Sequence, residues 1–265
     1  MNLILKIKNK ILFYKENFLY FLEELMLSEK LLKLENNPLI FDIGYNKGKF
    51  SKKILSYFKP SLILGIEANP SLIKNSFSHP IIKKINYLVS DDTLEERYLY
   101  LNDNFLGMST ASLDILKKSR FSSGSIKQEK LHELYNYKIK IKVITLDKLI
   151  NLYGTPDLIK IDVEGHEFEV LKGLNTKAKK ITFEWTEENY DGLEKSIKHL
   201  MDLGYDKFGV VGYFTNRNNL DDKVLFSRKG DPFLIEPDYF EWKKINLRKY
   251  IDENRKINYG MIWAK

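Results

Sequence analysis

Four groups able to hold or move a proton fall in the short segment IDVEGHE: Asp162, Glu164, His166 and Glu167. The apolar run just before it, Leu158 to Asp162, reads as a buried strand, so the cluster stands at a strand's carboxyl end, where open α/β sheets bind ligands. Glu184, in FEW, ends the next apolar run and can face the same crevice. An alcohol is a poor nucleophile at neutral pH until a base or a metal takes its proton, and such a carboxylate cluster can serve either purpose. Glu167 opens a helical pattern, where an acid favours the helix N-terminus, and capping is its expected work. His79, His132 and His199 show no partnered spacing and read as surface or packing residues.

A second constellation lies upstream, in FDIGYNKGKFS at residues 41–51. A buried strand ends at Asp42, a turn carries Gly44 and Gly48, and a helix follows. Glycines there let the backbone turn sharply and approach a ligand, and the helix offers unpaired N–H groups. Asn46 stands where the dinucleotide fingerprint G-x-G-x-x-G has its second glycine, which favours a ligand without a pyrophosphate. Asp42 is a candidate acceptor for a ligand ammonium. Glu67 closes the following strand in GIEANP, where an acid can accept both ribose hydroxyls of a nucleoside.

The elements that must position these groups alternate strand and helix. Strands are expected at Leu39 to Ile43, Leu62 to Ile66, Ile85 to Val89, Leu158 to Asp162 and Ile181 to Trp185, with helices between them. Tyr137 to Thr145 alternates as an antiparallel or edge strand, and Tyr205 to Tyr213 with Lys223 to Ser227 reads as a hairpin-like pair. A last strand is expected at Tyr259 to Trp263, after a Lys- and Glu-rich helix near Tyr239 to Asn254. Residues 91–136 read as loops and crossovers, with a helix-like stretch at Leu113 to Lys118. This order specifies a mostly parallel sheet with helices on both faces.

Composition narrows the chemistry. With no cysteine in 265 residues, disulfides, thiolate nucleophiles and Cys-ligated zinc are excluded, and a reducing cytoplasm is the expected compartment. The net charge of +7 is spread along the chain and mixed with 36 acids, so solubility is its first explanation. No apolar run approaches the ~20 residues that span a bilayer. The first 37 residues read as amphipathic helices packing on the domain or on a partner.

The glycine turn together with LDKLI...DLIKIDVEGHEFEVLKGL, residues 146–174, resembles the FkbM family of methyltransferases. The Glu67 strand end, the SDD and MSTASL segments near 90–113, and FEW at 183–185 also match, so the resemblance covers roughly residues 38–205. IDVEGHE is its specific part; the glycine turn is common to S-adenosylmethionine enzymes. Tyr45 and Ala68 depart from the family, where a small residue is common at the first position and proline at the second. Neither departure removes a ligand-binding side chain, though Tyr45 is expected to reshape the turn.

The resemblance implies an α/β, Rossmann-like class I methyltransferase fold with a mostly parallel seven-stranded sheet. A helical extension over residues 1–37 would precede a methyltransferase domain at 38–265. It implies S-adenosylmethionine as cofactor, with Asp42, Gly44, Asn46 and Gly48 near the methionine moiety and Glu67 on the ribose. Ser90 and Asp91 would lie near the adenine, and Tyr45 and Ala68 belong to the same cofactor loops. Asp162 counts on both the cofactor and the acceptor side. By analogy with a neighbouring group of metal-dependent sugar O-methyltransferases, Asp162 and Glu184 are candidate ligands for Mg²⁺ or another divalent metal. Glu164 or His166 is then the general base, which makes Asp162, Glu164, His166 and Glu184 the expected catalytic set.

The expected reaction is O-methylation of a sugar or glycan, free, nucleotide-linked or polymeric. Acceptor contacts are expected from residues 91–136 and 205–245, whose aromatics include Tyr98, Tyr100, Phe105, Tyr239 and Trp242. Two other readings stand: an RNA-cap or other nucleic-acid methyltransferase, which requires a contiguous Lys/Arg track beside the cleft, and a non-catalytic binding protein on the same fold.

Overall fold

Two apolar runs that follow prolines, LIFDI after Pro38 and LILGI after Pro60, become neighbouring strands buried on both faces. The computed structural model describes residues 32–91, 94–101, 109–112, 137–214, 232–234 and 257–265. The helices expected before residue 32, at Leu113 to Lys118 and at Tyr239 to Asn254, and the strand expected at Lys223 to Ser227, lie outside those residues.

The strands are β1 (Leu39–Ile43), β2 (Leu62–Ile66), β3 (Ile82–Ile85), β4 (Leu88–Val89), β5 (Glu96–Leu101), β6 (Tyr137–Ile144), β7 (Leu158–Ile161), β8 (Ile181–Thr186), β9 (Phe208–Phe214), β10 (Pro232–Leu234) and β11 (Ile257–Ala264). The helices are α1 (Lys49–Leu55), α2 (Pro70–Asn75), α3 (Leu146–Tyr153), α4 (Glu167–Lys172) and α5 (Tyr190–Asp202). The main sheet runs β10-β9-β11-β8-β7-β1-β2-β3. From β8 to β3 every pairing is parallel. β11 enters antiparallel between β8 and β9. This is the expected Rossmann-like methyltransferase sheet, widened by the three-residue strand β10 on the edge at β9.

Side-chain alternation sorts the sheet into two cores. Phe41, Ile43, Leu64, Ile66, Ile159 and Ile161 pack on one face with α3, α4 and α5. Ile40, Ile63 and Leu158 pack on the other with Ile54 of α1. Asp42, Lys160, Thr182 and Glu184 share that second face by the same alternation. Local signals close the helices: Asn69 caps α2 by accepting the Ser71 and Leu72 amides, and Pro70 takes its first turn. Thr145 caps α3, which ends at Gly154.

Two expectations need correction. Ile85 to Val89 is not one strand: β3 ends at Ile85, and β4 joins a separate sheet of order β4-β6-β5. The break comes at Asn86, whose side-chain amide donates to the carbonyls of Glu67 and Ala68 and turns the chain away. Residues 96–101, read as loop, form β5, which pairs antiparallel with β6 from Glu96↔Lys142 to Leu101↔Tyr137. Leu99 of β5 and Ile141 of β6 are buried with Leu88 in a third, smaller core. Among the described residues no helix is long and apolar enough to cross a membrane.

Candidate functional site

β1 has β2 on one side and β7 on the other, so the strand order reverses at β1, and a crevice opens at the carboxyl ends of these strands. Each of the three ends carries part of the site. After β1, Gly44 takes φ +75, and a Cβ there would lie 1.8 Å from the carbonyl oxygen of Asp162. Only glycine allows both that conformation and that approach. The amides of Gly44 and Tyr45 both donate to the Ile66 carbonyl at 2.9 Å, which folds the turn back over β2. The Tyr45 ring does not enter the crevice. It is 2% exposed, lies against Gly48 and Gly65, and its hydroxyl donates to the Phe77 carbonyl at 2.8 Å. Tyr45 therefore packs beneath the turn, between Gly48 just before α1 and Gly65 of β2.

After β2, both carboxylate oxygens of Glu67 accept backbone amides, Oε2 from Asn46 and Oε1 from Asn69, each at 2.8 Å. Burial holds its pKa above the ordinary carboxylate value. Each oxygen keeps acceptor capacity for a further donor.

After β7, the chain passes through two positive-φ residues, Glu164 (φ 54) and Gly165 (φ 91). Two contacts fix this turn. The Glu167 carboxylate accepts the Val163 and Gly165 amides at 3.1 Å each. Thr110 donates its hydroxyl to the Glu164 carbonyl at 2.9 Å. Glu167 thus braces the turn before its own helix rather than making a side-chain cap, and burial raises its pKa to about 7. His166 is buried, with Nε2 3.1 Å from the Ser90 hydroxyl and Nδ1 3.8 Å from Glu169.

Beneath these turns lies a charge network. Lys160 Nζ stands 3.3 Å from Asp42 Oδ1 and 3.5 Å from Asp162 Oδ2, and donates to the Gly44 carbonyl at 3.0 Å. Asp42 is fully buried, and its other oxygen accepts the Ser51 hydroxyl at 2.7 Å. Its pKa is raised, burial outweighing Lys160. Burial opposes the charge on Lys160, but Asp162 and Asp42 outweigh it and raise the lysine's pKa.

The crevice is a cleft open to solvent. It brings together Gly44, Asn46, Glu67 and Ala68 on one side and Asp162, Glu164 and His166 on the other. Asp42, Tyr45, Gly48, Ser90, Asp91 and Glu184 do not line it. Ser90 is buried behind His166, and Asp91 pairs with Lys172 and Arg97. The burial of Asp91 is outweighed by Lys172, which leaves its pKa below the ordinary value. Glu184 stands one step past the Ile161↔Phe183 pair, beside Asp162 in register and opposite Met261 of β11.

Sequence reasoning missed Lys160, Thr110 and the apolar wall formed by Leu72, Leu88 and Leu99. A lysine inside the strand LIKI was the available signal for the first.

The donor set does not fit a divalent metal at Asp162. Mg²⁺ is held by hard oxygens, commonly one or two carboxylates with waters, and a cation at Asp162 would stand against the Lys160 ammonium 3.5 Å from that carboxylate. Among the described residues no group of three or more His, Asp or Glu side chains converges on a metal position.

The family described as Methyltransferase FkbM domain matches residues 42–207. No curated protein matches the chain. Among solved structures, the chain is similar to precorrin-6y C5,15-methyltransferase from Geobacter metallireducens, at 12% identity over 92% of this chain and 86% of that one, TM-score 0.41. It is similar to Aeropyrum pernix fibrillarin in complex with natively bound S-adenosyl-L-methionine, at 12% identity over 92% and 74% of the two chains, TM-score 0.41. A third is the plantazolicin methyltransferase in complex with SAH, at 14% identity over 98% and 89%, TM-score 0.38.

Proposed function

The chain belongs to the FkbM methyltransferase family, and from that premise we propose that this S-adenosylmethionine-dependent enzyme methylates a hydroxyl of a sugar or glycan. The observation that carries the reading is the meeting of acidic strand ends across one cleft, Glu67 after β2 and Asp162 with Glu164 after β7.

The first end suits the cofactor. Glu67 is pinned by two amides and keeps lone pairs for ribose hydroxyls. The turn at Gly44 and Asn46 lets backbone come close to the methionine part, and Leu72, Leu88 and Leu99 offer an apolar wall to the adenine. The bound cofactor supplies an electrophilic methyl group on a sulfonium.

The second end suits the acceptor. Methyl transfer needs in-line positioning and an activated oxygen rather than covalent help from the protein. Glu164 takes the hydroxyl proton, and Asp162 accepts a hydrogen bond that orients the acceptor. Glu164 sits in the left-handed region, fixed by the bonds that Glu167 and Thr110 make to its turn. Such strain persists where the surroundings over-determine it, commonly at working sites. His166, held by Ser90, forms part of the wall. The test is a methyl-donor assay against mono- and oligosaccharides, free and nucleotide-linked, read by mass spectrometry. Methylation of none of them, with cofactor bound, would remove the sugar reading.

One observation favours nucleic acid as a second reading. Lys138, Lys140 and Lys142 alternate along the exposed face of β6 and pair in register with Tyr100, Tyr98 and Glu96 of β5. The Lys138 ammonium is 4.5 Å from the Tyr98 ring centre, and the opposite face of the same two strands holds Leu99, which walls the cleft. Basic, aromatic strand surfaces bind single-stranded nucleic acid. Oligonucleotide binding that weakens steeply with salt would support this reading; its absence at low salt would end it.

A further inference from the structure

Lys160 is in the middle of β7, beside Ile159 and Ile161, which are fully buried, and is itself 7% exposed. A buried ammonium is costly unless paired, and a strand reading LIKI in the core has no need of one for packing. Its partners therefore define its purpose. It is ion-paired with Asp42 and Asp162 and donates to the carbonyls of Gly44 and Ile43. These partners belong to different parts of the site. Gly44 and Ile43 are the turn assigned to the cofactor, whereas Asp162 faces the cleft with 38% of its side chain exposed. Asp42, sealed behind Ser51, is the internal counter-charge.

We infer that Lys160 is the positioning residue of the methyl-transfer site: its ammonium ties the cofactor turn at Gly44 to the Asp162 carboxylate and fills the place beside Asp162 that a divalent metal would take. The inference rests on the reading of Asp162 as part of the acceptor wall. A tethered cation differs from a metal in that its position is fixed by the strand before any ligand arrives, which is the preorganisation that charged sites require. It also makes the two halves of the site move as one: a change at the Gly44 turn is felt at Asp162.

Lys160→Met alone strands Asp42 as an uncompensated buried charge and is prone to unfold. The informative variant is Lys160→Met with Asp42→Asn, which removes the buried pair together. With thermal melting as the check on folding, kcat is expected to fall about a hundredfold with little change in acceptor KM. The Kd for S-adenosylhomocysteine is expected to rise about tenfold, because the turn loses its tie to β7. A folded double variant that matches wild type in both quantities overturns the inference. The wild-type enzyme supplies an independent arm that needs no folding of a variant. Its turnover should be unchanged by EDTA, and Mn²⁺ followed by water-proton relaxation should show no saturable site. A saturable Mn²⁺ site abolished by Asp162→Asn overturns the inference, because a metal would then hold the place assigned to Lys160. If no sugar is methylated at all, the Mn²⁺ and S-adenosylhomocysteine arms still read Lys160, so failure of the acceptor reading stays separate from failure here.

Discussion

The Glu67 carboxylate accepts the Asn46 amide at 2.8 Å, so the end of β2 fixes the turn that follows β1. Asn46 is in the left-handed region at φ 49, which leaves its amide pointing inward at that carboxylate. The other oxygen accepts the Asn69 amide, just before α2. Glu67 therefore organises both cofactor loops before any ligand is present.

Glu67→Gln tests this. Glutamine keeps the size but turns one acceptor into an –NH₂ group, which faces a backbone N–H and cannot accept from it. Losing a charge-assisted hydrogen bond costs about 2 kcal/mol, or roughly a thirtyfold rise in the Kd for S-adenosylhomocysteine. Isothermal titration calorimetry reads it, and an unchanged Kd would separate Glu67 from cofactor binding.

Gly44→Ala is expected to be among the most damaging single methyl additions in the protein. The position has φ +75, and the new Cβ would meet the Asp162 carbonyl at 1.8 Å, where backbone rather than a flexible side chain must yield. The expected loss is about 3 kcal/mol or more, from backbone strain and displacement of β7's end. Urea unfolding with an unchanged slope and a lowered midpoint is the expected result. A midpoint equal to wild type would show that the turn adapts.

How much of this was legible beforehand follows from which physical signal each residue carries. β1 and β2 were readable to the residue, because parallel strands buried on both faces appear as unbroken apolar runs and prolines mark where they begin. Asp42 shows what such a reading lacks. Its place at the end of β1 is visible in sequence, but alternation turns its side chain to the face of Ile40, toward Lys160, where it is fully buried and does not line the cleft. Lys160 itself was hidden because three of its four partners lie on β1 or in the turn just after it, more than a hundred residues away, and pairing between strands leaves no local pattern. β5 alternates as ERYLYL, yet half its residues are polar or aromatic, and its partner β6 is far along the chain. The acidic cluster at 162–167 was readable as a cluster, whereas the division of labour between Glu164 in the cleft and Glu167 as a brace depends on the positive-φ turn.

Glu167 gives a pH signature. Burial is the main cause that lifts its pKa from 4.5 to about 7. Between those values the folded protein holds a proton that the unfolded chain has lost. The stabilisation is therefore complete below pH 4.5 and disappears as pH rises through about 7. Relative to Glu167→Gln, which cannot titrate, wild type should lose about 3 kcal/mol of stability from pH 4.5 to above 7. Urea unfolding of both proteins across that range measures the difference. A difference that stays flat, or grows with pH, would show that Glu167 remains ionised in the fold.

Glu164→Gln separates proton removal from positioning. Glutamine matches glutamate in size, and the bonds that Glu167 and Thr110 make to the backbone of the turn are kept. It can still accept a hydrogen bond from a hydroxyl, but it cannot take the proton. With an acceptor identified, kcat should fall by roughly a hundredfold to ten-thousandfold, the range of general-base catalysis, while the Kd for S-adenosylhomocysteine stays near wild type. Asp162→Asn should instead disturb both quantities, since Asp162 shares Lys160 with the cofactor turn. Single-turnover kinetics with saturating cofactor distinguish the two. If Glu164→Gln kept wild-type kcat, Glu164 would not be the base.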